Sequence, residues 1–96
     1  MRVLIVEDDF KLARFLVRAF VEEGWTADAC AKGSDALKQA FSGGYDLIVL
    51  DWMLPDLDGL SVCRQLRERM LRTPILMLTA RGELGDRVMG LDVGAD

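Results

Sequence analysis

Three short segments of the chain are apolar without interruption, which predicts strands that are covered on both faces. They are residues 3–6 (VLIV), 47–50 (LIVL) and 75–78 (ILML). A strand with one face in water would alternate apolar and polar residues, whereas a strand inside a parallel sheet is buried on both sides. Residues 25–30 do alternate, and this pattern predicts a strand at an edge of the same sheet.

The stretches between the strands predict helices, because apolar residues recur there at three- and four-residue spacing. The first helix is expected to begin after Asp9, whose carboxylate suits an N-cap, and to end at Gly24. Two further helices are expected at residues 34–41 and after Gly59. A weaker pattern predicts a last helix over residues 84–93.

This alternation of strands and helices predicts the α/β class. With right-handed crossovers, it gives an open parallel sheet with helices on both faces. At 96 residues and 51% hydrophobic composition, the chain is expected to be one compact domain with no room for a second.

Two of the buried strands run directly into carboxylates at their carboxyl ends. Glu7 and Asp8 follow the first strand, and Asp51 follows the strand at residues 47–50. Ligands of open parallel sheets bind beyond the carboxyl ends of the strands, so these acids are expected to meet in one crevice. Their mutual repulsion requires a proton or a cation, and a hard divalent ion prefers oxygen ligands. The sequence therefore predicts a divalent metal site.

Asp51 is the candidate for covalent chemistry. A lone aspartate at the end of a strand more often caps the following loop, but the convergence of three acids favours a chemical role. Beside a divalent ion, Asp51 could accept a phosphoryl group as an acyl phosphate. Thr79 ends the fourth strand, where its hydroxyl could donate to a phosphoryl oxygen or could simply finish a strand. Asp56 and Asp58 are interpreted as turn and cap residues.

Composition excludes several classes of function. The chain contains no histidine, which excludes histidine-based zinc sites, Ser-His-Asp chemistry and an internal phosphohistidine. The net charge is -4 and the basic residues are scattered, so direct nucleic-acid binding is disfavoured. Cys30 and Cys63 lack metal or redox spacing and are interpreted as free thiols. No apolar run approaches the roughly 20 residues of a membrane span, and a cytoplasmic location without membrane contact is expected.

Four segments together identify a family resemblance: VLIVEDD, DLIVLDWMLPDLDG, TPILMLTAR and GLDVGAD. Over residues 1–96 the chain resembles the receiver domain of bacterial two-component response regulators, most of all the subfamily with a winged-helix DNA-binding output. The resemblance implies a flavodoxin-like sheet with strand order 2-1-3-4, the first part of the family order 2-1-3-4-5.

The resemblance also implies a site. Asp51 would receive a phosphoryl group from the phosphohistidine of a sensor histidine kinase, as a stoichiometric phosphoacceptor rather than an enzyme with turnover. Asp8, Asp51 and the main-chain carbonyl of Met53 would bind Mg²⁺ directly, and Glu7 would bind it through water. No organic cofactor is expected, because an acidic crevice repels a phosphate-bearing flavin.

Further residues follow from the same resemblance. Thr79 matches the switch residue whose hydroxyl follows the phosphoryl group, and Met53 and Arg81 match positions that tune the lifetime of the phosphoryl group. The domain would control an output module, with transcription as the regulated process. Any contact with DNA would be made only by that output module, which the 96 residues do not include.

A complete receiver continues past the GAD segment into a fifth strand and helix, which carry a lysine and an aromatic switch residue. The sequence therefore predicts a C-terminally truncated receiver domain, in which the strand at residues 75–78 would be an uncovered edge. We expect this edge to be hidden in one of three ways: by homodimerisation, by exchange of elements between chains, or by rearrangement of the last helix.

Two alternatives remain open at this stage. The chain could be a dimerisation or interaction module without a working phospho-switch, because the family lysine is absent. The segment Asp56-Leu57-Asp58-Gly59 also suggests a haloacid-dehalogenase-like phosphatase. That family places its paired aspartates directly after an apolar strand, whereas here Leu54 and Pro55 come first, which counts against it.

Overall fold

The computed structural model of the chain describes residues 1–78 and the backbone of residues 88–91. Its elements, in chain order, are β1 (Arg2–Val6), α1 (Phe10–Glu22), β2 (Thr26–Cys30), α2 (Gly33–Ser42), β3 (Leu47–Asp51), α3 (Gly59–Glu68), β4 (Ile75–Leu78) and β5 (Val88–Leu91). The strands and helices expected within residues 1–78 are all present, with bounds that differ by a few residues at most.

The strands form one sheet in the order β2-β1-β3-β4-β5. The first four strands pair in parallel, which confirms the predicted order 2-1-3-4 and the predicted edge position of β2. In the pairing of β1 with β3, Val6 lies opposite Leu50. These two strands therefore end at the same level of the sheet.

The helix predicted over residues 84–93 is wrong for residues 88–91. These residues form β5, which pairs antiparallel with β4. A glycine costs about 1 kcal/mol relative to alanine inside a helix, so Gly90 weakens the helical alternative. The edge of β4 also offers unpaired backbone groups that a local pattern does not report. Of the three expected ways to cover this edge, the described residues show rearrangement of the last segment.

The apolar strands are buried because helices cover the sheet on both faces. Successive residues of a strand point to opposite faces. Leu4 and Val6 contribute to the core under α2 and α3, whereas Val3 and Ile5 contribute to the core under α1. All four side chains are fully buried. This two-sided burial explains why the sequence of β1 shows no alternation.

A polar network lies near the start of β1. The Arg2 guanidinium donates to a carboxylate oxygen of Asp28 at 2.8 Å, and the Tyr45 hydroxyl donates to the same oxygen at 2.6 Å. The guanidinium also lies 4.9 Å from the centre of the Tyr45 ring. The hydrogen bond from Tyr45 holds the pKa of Asp28 below its usual range. The network joins β1, β2 and the residues that lead into β3.

The end of α3 contains a non-glycine residue in the left-handed region, Met70 with φ 71°. The Met70 N–H donates to the carbonyl of Arg67, and the Leu71 N–H donates to the carbonyl of Leu66, both at 3.0 Å. This is the Schellman pattern, in which glycine is preferred at the left-handed position. The Met70 side chain is exposed, so it has little packing to lose.

We expect Met70→Gly to stabilise the domain by roughly 0.5–1 kcal/mol, because glycine removes the cost of the left-handed conformation but gains entropy when unfolded. Urea unfolding of the variant and the wild type measures the difference. Gly24→Ala is the matched control, since Gly24 has φ 90° and open space around it, and it should destabilise by about 1 kcal/mol. A Met70→Gly variant less stable than the wild type would contradict the assignment of strain to Met70.

Candidate metal centre

The parallel pairing of β1 and β3 brings three acidic side chains together. Glu7 and Asp8 directly follow the last residue of β1, and Asp51 is the last residue of β3. Oxygens of these three carboxylates all lie within 4.8 Å of one another. We refer to these three residues as the acid cluster. The structure therefore brings together the three carboxylates that the sequence assigned to a metal site.

The acid cluster is buried on one side and open on the other. Glu7 and Asp51 are only 5% and 4% exposed, whereas Asp8 is exposed to solvent. Burial of two neighbouring carboxylates is unfavourable, because each loses hydration and each repels the other. An ion can therefore reach the buried pair from the side of Asp8.

The protonation of the buried pair reflects this cost. Burial raises the pKa of Glu7 to about 7, and the charge of Asp51 adds to this effect, against a hydrogen bond from the Asp9 N–H at 2.9 Å. Burial also raises the pKa of Asp51, against a hydrogen bond from the Met53 N–H at 3.3 Å. At neutral pH, the acid cluster without metal is therefore partly protonated.

The loop of residues 52–58, called here the 52–58 loop, turns back tightly after Asp51. The Gly59 N–H donates to the Trp52 carbonyl at 2.7 Å, and the Trp52 N–H donates to the Leu78 carbonyl at 2.7 Å. A Cβ atom at Gly59 would clash with the carbonyl oxygen of Asp51, so only glycine fits there. This turn keeps the Met53 main chain next to the acid cluster.

The donor set of the acid cluster fits a hard divalent cation. All three side chains offer oxygen, which Mg²⁺ and Ca²⁺ prefer, and none offers the nitrogen or sulfur that softer metals favour. A divalent charge would also offset the repulsion between Glu7 and Asp51. The chemistry of the residues present therefore agrees with a metal site.

The other acids near the site have structural contacts. Asp9 caps α1, because its carboxylate accepts from the N–H groups of Lys11 and Leu12. Asp58 caps α3 by accepting from the Ser61 N–H at 2.7 Å. Both agree with the sequence interpretation.

Asp56 makes contacts that the sequence interpretation missed. Its carboxylate accepts hydrogen bonds from the main chain of Gly33 and Ser34, at the start of α2. A signal was available, because Lys32 precedes α2 where a capping side chain is usual, so another acceptor was needed. Neither Asp56 nor Asp58 belongs to the acid cluster, which removes the main argument for a phosphatase of the dehalogenase type.

Two further residues assigned from the sequence, Thr79 and Arg81, lie outside the described residues. Their places at the site stay predictions.

We expect the metal-free domain to lose stability as the pH rises from about 4.5 to about 7. The folded state raises the pKa of Glu7 from 4.5 to about 7, so it binds more protons than the unfolded chain in this window. The loss should be roughly 2–3 kcal/mol. Unfolding in urea at several pH values, with a chelator present, measures it.

Two controls accompany this measurement. Glu7→Gln removes the titrating group and should flatten the pH dependence. Added Mg²⁺ should restore stability at pH 8 by mass action on the folded state. Equal stability at pH 5 and pH 8, with no response to Mg²⁺, would show that the carboxylates are not under electrostatic strain.

Within the described ranges, no helix combines the length and the hydropathy that crossing a membrane requires. This finding agrees with the absence of a long apolar run in the sequence.

Comparisons with known proteins place this chain among its relatives. Residues 3–96 match the family described as the response regulator receiver domain. The transcriptional regulatory protein TcrA of Mycobacterium tuberculosis is 51% identical over 96 residues, which make up 100% of this chain and 38% of TcrA. The chain thus spans about two fifths of the length of this curated relative.

Two solved structures are similar in fold. The receiver domain of a Francisella response regulator superposes with a TM-score of 0.80 and 37% identity, covering 88% of this chain and 69% of that one. The response regulator TrrA of Thermotoga maritima, solved in complex with Mg²⁺ and BeF, gives a TM-score of 0.79 and 37% identity, over 84% of this chain and 70% of that one. This chain belongs to the response regulator receiver domain family.

Proposed function

We propose that this chain is a Mg²⁺-dependent phosphoacceptor domain, in which Asp51 accepts a phosphoryl group from the phosphohistidine of a sensor histidine kinase. The observation that carries the proposal is the burial of Asp51 within 4.8 Å of two further carboxylates, at the open end of a parallel sheet. Its family membership supports the same function. The complex of TrrA with Mg²⁺ and BeF supports the metal, because that relative is 37% identical to this chain.

The residues that would hold the metal are those of the acid cluster together with Met53. Asp8, Asp51 and the main-chain carbonyl of Met53 would be direct ligands, and Glu7 would act through water. When bound, the ion offsets negative charge on the carboxylate nucleophile and on the incoming phosphoryl group.

Asp51 must be ionised to act as a nucleophile, and Glu7 supports this state. The pKa of Glu7 is about 7, and its hydrogen bond with Asp51 favours the ionised form of Asp51. An oxygen of Asp51 forms a bond to phosphorus while the phosphorus–nitrogen bond of the donor breaks, and the imidazole leaves with the electron pair.

Three positions around Asp51 have proposed roles after transfer. The Thr79 hydroxyl would donate to a phosphoryl oxygen and so report phosphorylation to the rest of the domain. The side chains of Met53 and Arg81 would tune the lifetime of the acyl phosphate by controlling access of water. Met53 is well placed for this role, because its side chain is exposed two residues after Asp51.

Transfer to Asp51 happens once per chain, so the domain acts as a stoichiometric signal carrier and not as an enzyme with turnover. The phosphoryl donor must be a separate site, because these 96 residues contain no histidine. The output would be control of transcription through an attached or partner module, as the name of the relative TcrA suggests. Contact with DNA would belong to that module.

We expect wild-type protein incubated with Mg²⁺ and acetyl phosphate to gain the mass of one phosphoryl group on Asp51. The adduct should be stable to acid and labile to base, as an acyl phosphate is. Intact-mass and peptide mass spectrometry detect it. Asp51→Asn keeps the shape but removes the nucleophile and should give no adduct.

Asp58→Asn is the matched control, because Asp58 lies in the same loop but caps α3, and the adduct should persist. A wild-type protein that binds Mg²⁺ yet stays unmodified would contradict the phosphoacceptor function. So would an adduct of equal yield in Asp51→Asn.

A second candidate function is an interaction module that associates without a phospho-switch. The observation that favours it is the set of large apolar side chains that α1 exposes: Phe10, Phe15 and Val21 are 70%, 66% and 52% exposed. Phe10 and Phe15 line the same surface groove on α1, and adjoining exposed apolar residues are typical of an interface.

Sedimentation at increasing concentration should show self-association that Phe15→Ser weakens. Beryllofluoride separates the two functions, because it mimics an acyl phosphate. A chain that associates equally with and without beryllofluoride would support the interaction module, whereas a shift in association would support the phosphoacceptor. A monomer at all concentrations would contradict self-association.

A further inference from the structure

The Asp56 carboxylate links the 52–58 loop to the start of α2. One of its oxygens accepts from the Gly33 N–H at 2.8 Å and from the Leu57 N–H at 2.9 Å, and the other accepts from the Ser34 N–H at 3.0 Å. The first N–H groups of a helix have no partner inside the helix. Lys32 precedes α2 and makes no side-chain capping bond, so Asp56 takes this role from another segment.

The same contact brings the loop close to α2. A Cβ atom at Gly33 would lie 2.9 Å from the Cβ atom of Leu57, which leaves no space for a larger residue. Leu57 also packs against the core on this face of the sheet. The middle of the 52–58 loop is therefore held against α2 by a charge-assisted link and by close packing.

The link persists over the physiological pH range. Although burial opposes it, the hydrogen bonds from Ser34, Gly33 and Leu57 hold the pKa of Asp56 well below its usual range. The Asp56 carboxylate is therefore ionised at physiological pH. Hydrogen bonds to a charged acceptor are stronger than those between neutral groups.

We propose that Asp56 is a positioning residue: by tying the 52–58 loop to α2, it holds the Met53 main chain beside Asp51 and so sets the metal affinity of the site. The loop is fixed near its ends by the bond between Gly59 and Trp52 and by the bond from Met53 to Asp51. Asp56 supplies the link between them. The effect on metal affinity rests on the proposed function, whereas the effect on the loop does not.

Three variants separate this role from simple capping of α2. Asp56→Ala removes both the cap and the link to the loop. The double variant Lys32→Ser/Asp56→Ala restores a local cap, because Lys32 has the extended backbone of a capping residue, with φ -124° and ψ 146°. Asp56→Asn keeps one acceptor oxygen and should give intermediate results.

The first readout needs no metal. Amide hydrogen exchange of Met53, followed by NMR on metal-free protein, should be at least about tenfold faster in Asp56→Ala, because charge-assisted hydrogen bonds that restrain the loop are lost. It should stay fast in the double variant, although urea unfolding shows that the stability of the double variant recovers. A merely structural cap would make exchange and stability recover together.

The second readout is the dissociation constant for Mg²⁺, measured through the fluorescence of Trp52, which directly follows Asp51. It should rise about tenfold in Asp56→Ala and in the double variant, since the loss of supporting contacts around metal ligands commonly weakens binding by this factor or more. Asp58→Ala is the control for the loss of a cap in the same loop and should change the constant less.

Recovery of Mg²⁺ affinity and of Met53 exchange in the double variant would overturn the proposal and leave Asp56 as a helix cap. Unchanged exchange of Met53 in Asp56→Ala would also overturn it. A wild-type protein that does not bind Mg²⁺ would refute the proposed function, and the exchange rates would then decide alone whether Asp56 holds the loop.

Discussion

The domain depends on a conflict between hydrophobic burial and charge at the ends of β1 and β3. Both strands are buried on two faces, and their parallel pairing is fixed by that burial. The same pairing forces Glu7 and Asp51 into contact range at the carboxyl edge. The sheet cannot keep its core without also crowding two carboxylates. This cost favours the binding of a cation, because the fold itself has already assembled three carboxylates.

The segment after Asp51 shows how the chain supports such a site. Gly59 allows the main chain to fold back on Asp51, at a spacing that no side chain would tolerate. The Asp56 carboxylate accepts a hydrogen bond from the main chain at the start of α2, and the Asp58 carboxylate accepts one from the first turn of α3. Three acids in eight residues thus have three different tasks. These aspartates are close in sequence, but their hydrogen bonds hold Asp56 against α2 and Asp58 at the start of α3. Of the three, Asp51 alone belongs to the acid cluster.

Local patterns predicted the parts of this structure that depend on local physics. Uninterrupted apolar runs identified the buried strands, and carboxylates at strand ends identified the acid cluster, but the strand order came from a family resemblance. The failures have a common cause. Residues 88–91 became a strand because β4, 10 to 15 residues earlier in the chain, offered a partner that lies outside the window of a local pattern. The contact of Asp56 with Gly33 also spans 23 residues, and no periodicity reports such a pair.

The Arg2, Asp28 and Tyr45 network gives the sheet two unequal ends. At the start of β1 the charges of Arg2 and Asp28 offset each other and the Tyr45 hydroxyl donates to Asp28, whereas at the end of β1 carboxylates of like charge lie close together. Fraying of the sheet should therefore begin at the carboxyl edge, with the opposite end acting as an anchor. A bound ion would offset the repulsion between the carboxylates and so would stabilise the carboxyl edge as well. Occupancy of the site would then lower the frequency of local opening at the carboxyl ends of β1 and β3.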